Sequence, residues 1–375
     1  MPALHLPRVP AADVLGPAQL REAHEVGGLL RWLQLGSQGA LLVAFLVYAR
    51  NGAVLARESA AGRIGTGMLL AMLGFGVAWL VQVPFDVVSL WWQRDHGLAH
   101  DTYWELVLGS FLGLGGTFLF VCLGVLITMG IARWLPRRWW VVGGPVFVAL
   151  GLLQAFASPY LTPGTHPLRS IQIAAEVRRL QQDEGLPRVP VDVQEVSAET
   201  DAPNAEALGV GGSRRIVLWD TLLDGRFSDQ QVEVVIAHEL GHVARNHVLR
   251  SVGWLALIAL PASLLVAVAT RRRGGMREPA AVPVALLVFI GLTVLLQPLQ
   301  SLVTRHMERE ADWIALQATR DPAAARALFR GLARTTSTDP SPPTWDYVLY
   351  QDHPTIAQRL AMVDAWEAWR ASRVP

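Results

Sequence analysis

The sequence contains no lysine and only one cysteine among its 375 residues. All of its fixed positive charge is on arginine, and the formal net charge is only +1. A near-neutral chain lacks the strongly basic surface that nucleic-acid binding requires, so no nucleic-acid partner is expected. Cys122 alone can form neither an intrachain disulfide nor a zinc site built from thiolates.

Charged residues are also scarce, at 17% of the chain, whereas hydrophobic residues make up 52% and the mean hydropathy is +0.32. Six apolar stretches are long enough, or nearly so, to cross a lipid bilayer, at 29–48, 68–88, 106–131, 139–157, 252–270 and 281–303. Their internal glycines and prolines are acceptable in membrane helices. This pattern predicts a mainly α, polytopic membrane protein with six spans in a cell membrane of bacterial type.

The spans divide the chain into membrane and soluble parts. We expect an N-terminal lead-in at 1–28, four spans within 29–157, a soluble part at 158–250, two further spans within 251–304 and a second soluble part at 305–375. Alternating apolar and polar residues in the first soluble part predict a small β-sheet beside its helices. The two soluble parts flank one pair of spans, so they emerge on the same side of the membrane and can build one composite site.

The first soluble part contains an H-E-x-x-H pattern that begins at His238. Residues four apart lie on one face of a helix, so His238 and His242 can direct ring nitrogens at one ion, with Glu239 beside them. Ser228 and Gln231 match a capping box, which predicts that a helix begins there. Three protein ligands and one open position make a catalytic zinc site, so we predict one Zn2+ per chain. Two structural histidines on a helix are the alternative.

The third ligand is expected where the last predicted span ends. Glu308 and Asp312 are four residues apart and share a helical face, whereas Glu310 points elsewhere and is the alternative ligand. A zinc-bound histidine usually donates its second N–H to a carboxylate. Glu308 is therefore predicted as a ligand, and Asp312 as the group that orients His238.

With these residues in place, the chain resembles the type 1 CAAX prenyl proteases, which are integral-membrane zinc endopeptidases of the gluzincin group. The motifs that carry the resemblance occur in the order of the family, namely Pro84-Phe85, His96-Gly97, Asn204-Ala205, residues 216–223, residues 238–242 with His247, Arg305 with Glu308 and Ala311-Asp312, and His353-Pro354 with Arg359. The family usually has seven spans, whereas this sequence predicts six.

The resemblance implies a zinc metallopeptidase that hydrolyses peptide bonds, with Glu308 as third ligand and Glu239 as general base. It implies that Asn204 and Ala205 form an edge strand that binds the substrate backbone. His353 and Arg359 resemble the residues with which the family stabilises the transition state. The implied substrate is a peptide or protein, lipidated or membrane-associated.

His247 is expected to lie on the same helix as His238 and His242, off the face that carries the two ligands, as a structural residue.

A heat-shock-type membrane quality-control metalloprotease is an alternative function, and a non-catalytic zinc-binding membrane scaffold is another. The side of the membrane stays open: arginine-rich loops at 50–63, 133–138 and 271–277 indicate a cytoplasmic face opposite the zinc site, whereas the resemblance implies a cytoplasmic-facing site.

Overall fold

The chain folds into long helices joined to a smaller part made of short helices and one β-sheet. The computed structural model describes residues 6–373, and of residues 111–117 it describes the backbone alone. The helices are α1 (Pro17–Arg57), α2 (Gly62–Asp95), α3 (Tyr103–Trp134), α4 (Trp139–Leu161), α5 (Ile171–Asp183), α6 (Asp229–Ala244), α7 (His247–Thr270), α8 (Val282–Thr319), α9 (Pro322–Thr335), α10 (Thr344–Leu349) and α11 (Ile356–Ala371). The mainly α prediction is confirmed.

Five of the described helices are long and apolar enough to cross a bilayer, namely α1, α2, α4, α7 and α8. They coincide with five of the predicted spans. The backbone of α3 is helical over the whole predicted span at 106–131, and its described apolar part is Phe118–Trp134. A multi-pass arrangement is therefore confirmed, and the span within α3 stays a prediction.

The first long helix begins earlier than the sequence predicted. Residues 1–5 of the expected lead-in lie outside the described residues, and α1 already begins at Pro17. Gly16 is extended and proline has its φ fixed near the helical value, so the first turn forms without a side-chain cap. This extension of α1 reaches the C-terminal part of the chain, where His24 Nε2 lies 3.4 Å from Asp339 Oδ1.

Four short strands, β1 (Thr165–Pro167), β2 (Val191–Gln194), β3 (Ala205–Leu208) and β4 (Arg215–Trp219), form the predicted small sheet. Their order across the sheet is β1-β2-β4-β3. The central strands β2 and β4 are parallel, and the edge strands β1 and β3 pair antiparallel to them. One side of β3 has no strand partner among residues 6–373, so its backbone groups are available to an added strand.

The helix that carries the H-E-x-x-H pattern is held by a cap and by a buried face. The hydroxyl of Ser228 accepts a hydrogen bond from the N–H of Gln231, whose side chain accepts one from the N–H of Ser228. This is the predicted capping box. Val232, Ile236 and Leu240 are buried at four-residue intervals and pack in the core of the soluble part.

The chain turns sharply after α6. Asn246 adopts the left-handed conformation with φ 53°, and α7 begins at the next residue, His247. Asparagine tolerates this conformation better than most residues, and its side-chain oxygen accepts a hydrogen bond from Arg214. The prediction that His247 lies on the same helix as His238 and His242 is therefore wrong, because this turn separates α6 from α7.

Helix α8 runs without a break from the last predicted span into the soluble part and crosses α6 there. A Cβ atom at Gly241 of α6 would lie only 3.1 Å from the Cα atom of Ala311. Because glycine has no side chain, the two backbones approach closely at this point. Glu308 lies nearly one turn before Ala311, so the close approach fixes the distance between Glu308 and α6.

We predict that Gly241→Val forces α6 away from α8, because the new side chain would overlap the backbone of Ala311. Overpacking of this kind costs about 1–3 kcal/mol, so the unfolding temperature should fall. Gly253→Val is the matched control in α7, where an added Cβ meets no atom within 4 Å. Equal unfolding temperatures for the two variants would show that the contact does not restrain the helices.

Candidate metal centre

Three side chains from two helices converge on one point. His238 and His242 of α6 and Glu308 of α8 each offer a ligand atom, and these atoms all lie within 4.8 Å of one another. The distance from Glu308 Oε2 to His238 Nε2 is 3.1 Å, and that from Glu308 Oε1 to His242 Nε2 is 3.4 Å. The predicted pair of histidines and the predicted carboxylate are therefore brought together.

The chemistry of these donors fits a divalent cation. The Nε2 atoms of His238 and His242 lie 3.1 Å apart, so their two lone pairs would repel unless a proton or a metal ion lay between the rings. Burial acts to lower the pKa of His238, but hydrogen bonds to Asp312 and Glu308 raise it to about 10. The site therefore favours positive charge, and a proton and a metal ion would compete for the same lone pair. Two histidines and one glutamate are a ligand set of catalytic zinc sites.

Asp312 lies behind His238, as the sequence predicted. Its Oδ1 atom is 2.9 Å from His238 Nδ1, and its side chain is buried. Arg359 donates two hydrogen bonds to the same carboxylate, from Nε at 3.0 Å and from Nη2 at 2.5 Å. The guanidinium also lies 4.2 Å from the ring centroid of Phe329. The structure therefore places Arg359 on Asp312, which in turn contacts His238 of the candidate metal group.

His353 reaches the site from the segment that precedes α11. Its Nε2 atom lies 3.1 Å from Glu308 Oε2, and its Nδ1 atom lies 2.8 Å from Asp352 Oδ1. Burial acts to lower the pKa of His353, but the bonds to Asp352 and Glu308 raise it to about 9. An imidazolium at this position is a charged hydrogen-bond donor beside the carboxylate of Glu308.

Glu239 lies on the wall of an open cleft. His353 and Arg359 line the same cleft, and its apolar lining comes from Leu222, Val234, Val235, Leu328 and Leu332. Burial raises the pKa of Glu239 above its usual range. A carboxylate with a raised pKa accepts a proton more readily, as a general base must.

Asn204 and Ala205 line the same cleft, and the edge strand β3 begins at Ala205. The carbonyl of Asn204 accepts a hydrogen bond from the N–H of Trp219, which ties this end of β3 to β4. The segment predicted to bind substrate therefore lies beside Glu239, with one strand edge open.

Two groups of contacts were missed by the sequence analysis. His247 Nδ1 lies 3.0 Å from His242 Nδ1, and His247 Nε2 lies 3.1 Å from Glu310 Oε2. Arg305 is buried and donates hydrogen bonds from Nη1 to the carbonyls of Tyr347, at 2.7 Å, and Gln351. These bonds hold the segment that leads to His353. Only Asn246, a residue that favours left-handed turns, signals the break that redirects His247.

Comparison with known proteins defines the class to which this site belongs. Residues 167–367 match the peptidase family M48. The match spans more than half of the chain and includes His238, His242 and Glu308, so the chain belongs to this family.

Individual relatives extend the similarity into the membrane part. The chain is 25% identical over 295 residues to the uncharacterized metalloprotease YhfN of Bacillus subtilis. The aligned region covers 75% of this chain and 69% of that protein. It is 27% identical over 325 residues to the CAAX prenyl protease 1 homolog of Arabidopsis thaliana, covering 79% of this chain and 73% of that protein. The crystal structure of S. mikatae Ste24p matches the fold with a TM-score of 0.79 at 19% identity, over 95% of this chain and 91% of that chain.

These similarities confirm the resemblance to the CAAX prenyl proteases of type 1. The protein is a multi-pass membrane metalloprotease that hydrolyses peptide bonds in peptide or protein substrates. Membership of the family implies a metal cofactor, and the group of His238, His242 and Glu308 offers a place for it.

Proposed function

We propose that the protein is a zinc endopeptidase in which His238, His242 and Glu308 hold one Zn2+. The observation that carries this proposal is the convergence of the three donor atoms within 4.8 Å, with Glu239 on the wall of the cleft beside them. A structural zinc site would not require a free carboxylate beside its ligands. The presence of Glu239 therefore favours a catalytic role over that of a zinc-binding scaffold.

His238, His242 and Glu308 would hold the Zn2+, which would supply Lewis acidity toward the scissile carbonyl and would lower the pKa of a water molecule. Glu239 accepts a proton from the attacking water and passes it to the leaving amine nitrogen. Its raised pKa suits both transfers, because the carboxyl must hold the proton between them.

His353 would donate a hydrogen bond from Nε2 to the carbonyl oxygen as negative charge develops on it, and for this Nε2 must leave its contact with Glu308 Oε2. Burial acts to lower the pKa of the ring and the bonds to Asp352 and Glu308 raise it, and a charged donor stabilises an oxyanion more than a neutral one does. Arg359 lines the cleft, but two of its nitrogens are engaged by Asp312. Its contacts favour positioning of Asp312, and through it His238, over direct contact with the transition state.

The substrate would bind in an extended conformation along the free edge of β3, beginning at Asn204 and Ala205. Strand addition pairs backbone groups and therefore accepts many sequences. Because α8 continues from a membrane-length helix to Glu308, we propose a lipidated or membrane-associated substrate reached from the bilayer of a cell membrane. A higher kcat/KM for a prenylated peptide than for the same peptide without the lipid would support this; equal values would count against it.

Glu239→Gln tests the reaction itself. The amide keeps the size of the side chain but cannot accept the proton, so we expect unchanged zinc content and a loss of cleavage of about 100- to 10,000-fold. Cleavage of a fluorogenic peptide by detergent-purified protein measures this. Asp229→Asn, an exposed acid-to-amide change on the same helix, should cleave at the parental rate. Full activity of Glu239→Gln would refute the mechanism.

His353→Ala tests stabilisation of the oxyanion. Loss of one such donor costs about 2.7–4 kcal/mol, so turnover should fall roughly 100- to 1,000-fold. One zinc ion should remain, because His353 is not a proposed ligand, and metal analysis of the same preparation checks this. A variant that loses its zinc, or one that keeps full turnover, would show that the role of His353 is assigned wrongly.

A further inference from the structure

His247 is a buried imidazole that the proposed reaction does not use. Only 3% of its side chain is exposed, and it lies at the first position of α7, where the turn at Asn246 directs it back to α6. There its ring meets that of His242 nearly edge to face, with centroids 4.8 Å apart.

The contact joins two ring nitrogens. His247 Nδ1 lies 3.0 Å from His242 Nδ1, so one of these atoms must donate and the other must accept. The choice matters, because a neutral histidine has one protonated nitrogen and one free lone pair. If His242 Nδ1 carries the proton, His242 Nε2 presents its lone pair toward Glu308. If it does not, Nε2 carries an N–H and cannot bind a metal.

The opposite nitrogen of His247 decides between these arrangements. His247 Nε2 lies 3.1 Å from Glu310 Oε2, and Arg250 donates to the same oxygen over 2.5 Å. A carboxylate paired with arginine only accepts hydrogen bonds, so the proton of a neutral His247 lies on Nε2. His247 Nδ1 is then an acceptor, and His242 Nδ1 must donate to it.

We propose that His247 and Glu310 form a positioning relay that fixes the tautomer and ring orientation of His242. This inference rests on the proposed metal site. The two proposed histidine ligands are thus oriented by different means. His238 donates directly to a carboxylate, Asp312, whereas His242 reaches the carboxylate of Glu310 through a second imidazole.

The test compares two substitutions of His247 in the detergent-purified full chain. Leucine removes the acceptor, whereas the amide oxygen of asparagine can take the place of Nδ1. Zinc affinity, measured by competition with a chromophoric chelator, should fall about 10- to 100-fold in His247→Leu, the usual effect of losing a group that orients a ligand. His247→Asn should recover most of this loss, and a merely structural role for His247 would not produce that recovery.

His306→Leu is the control, because His306 lies 3.7 Å from the other oxygen of Glu310 but is 68% exposed and has no contact with His242 among the described residues. Its zinc affinity should equal that of the parent. If His247→Leu does not fold, Glu310→Ala keeps the packed imidazole and should still weaken zinc binding, by about tenfold.

The relay would be overturned if His247→Leu bound zinc as tightly as the parent, or if Glu310→Ala did so where it replaces that variant. It would also be overturned if the leucine and asparagine variants lost the same amount of zinc affinity. Failure of the metal site itself has a different signature. In that case the parent and Glu308→Ala would bind zinc equally poorly, and both the relay and the proposed site would be rejected.

Discussion

Glu308 and Asp312 are two carboxylates buried on the same face of α8, and a buried carboxylate is strongly destabilising unless charged or hydrogen-bonding partners surround it. Their partners come from elsewhere in the chain. His238 of α6 contacts both carboxylates, His353 contacts Glu308, and Arg359 of α11 contacts Asp312. The pairing is complete only when α6, α8 and the C-terminal segment are assembled. The same side chains therefore hold the soluble part together and form the candidate metal centre.

The centre is also tied to the membrane part of the protein. Because α8 is continuous, Glu308 is carried on the extension of a membrane-length helix. Arg305 lies one turn before Glu308 and bonds the carbonyls of Tyr347 and Gln351, which lead to His353. Helix α8 therefore carries Glu308 and, through Arg305, also positions the segment of His353, the proposed oxyanion donor. Under the proposed function, this arrangement presents the reacting groups at a constant distance from the bilayer.

Local periodicity explains how much could be predicted from the sequence. His238 with His242, and Glu308 with Asp312, are each spaced by one helical turn, so the period of the helix alone places each pair on one face. The capping residues of α6 and the small sheet also follow from local patterns. That the two pairs meet is a tertiary contact. The order of the spans, which puts both soluble parts on one side of the membrane, and the resemblance to a known family anticipated this contact, and Gly241 makes it possible in this chain.

The features that were missed depend on the path of the chain. A single left-handed residue, Asn246, moves His247 from the expected helix face to the back of His242. Arg305 and Arg359 find their partners 42 or more residues away, and no local pattern encodes such contacts. Arg359 was predicted near the reacting atoms, and its two bonds to Asp312 could be recognised only in three dimensions.

X-ray absorption at the zinc edge of the purified protein, loaded with one equivalent of Zn2+, tests the proposed centre most directly. Two imidazole nitrogens and carboxylate or water oxygen should appear at about 2.0–2.2 Å, with the outer-shell scattering of two histidine rings and no sulfur at about 2.3 Å. Glu308→Ala should alter this spectrum or bind no zinc. A sulfur shell, or a shell of oxygen alone without imidazole scattering, would contradict the assignment of His238 and His242 as ligands.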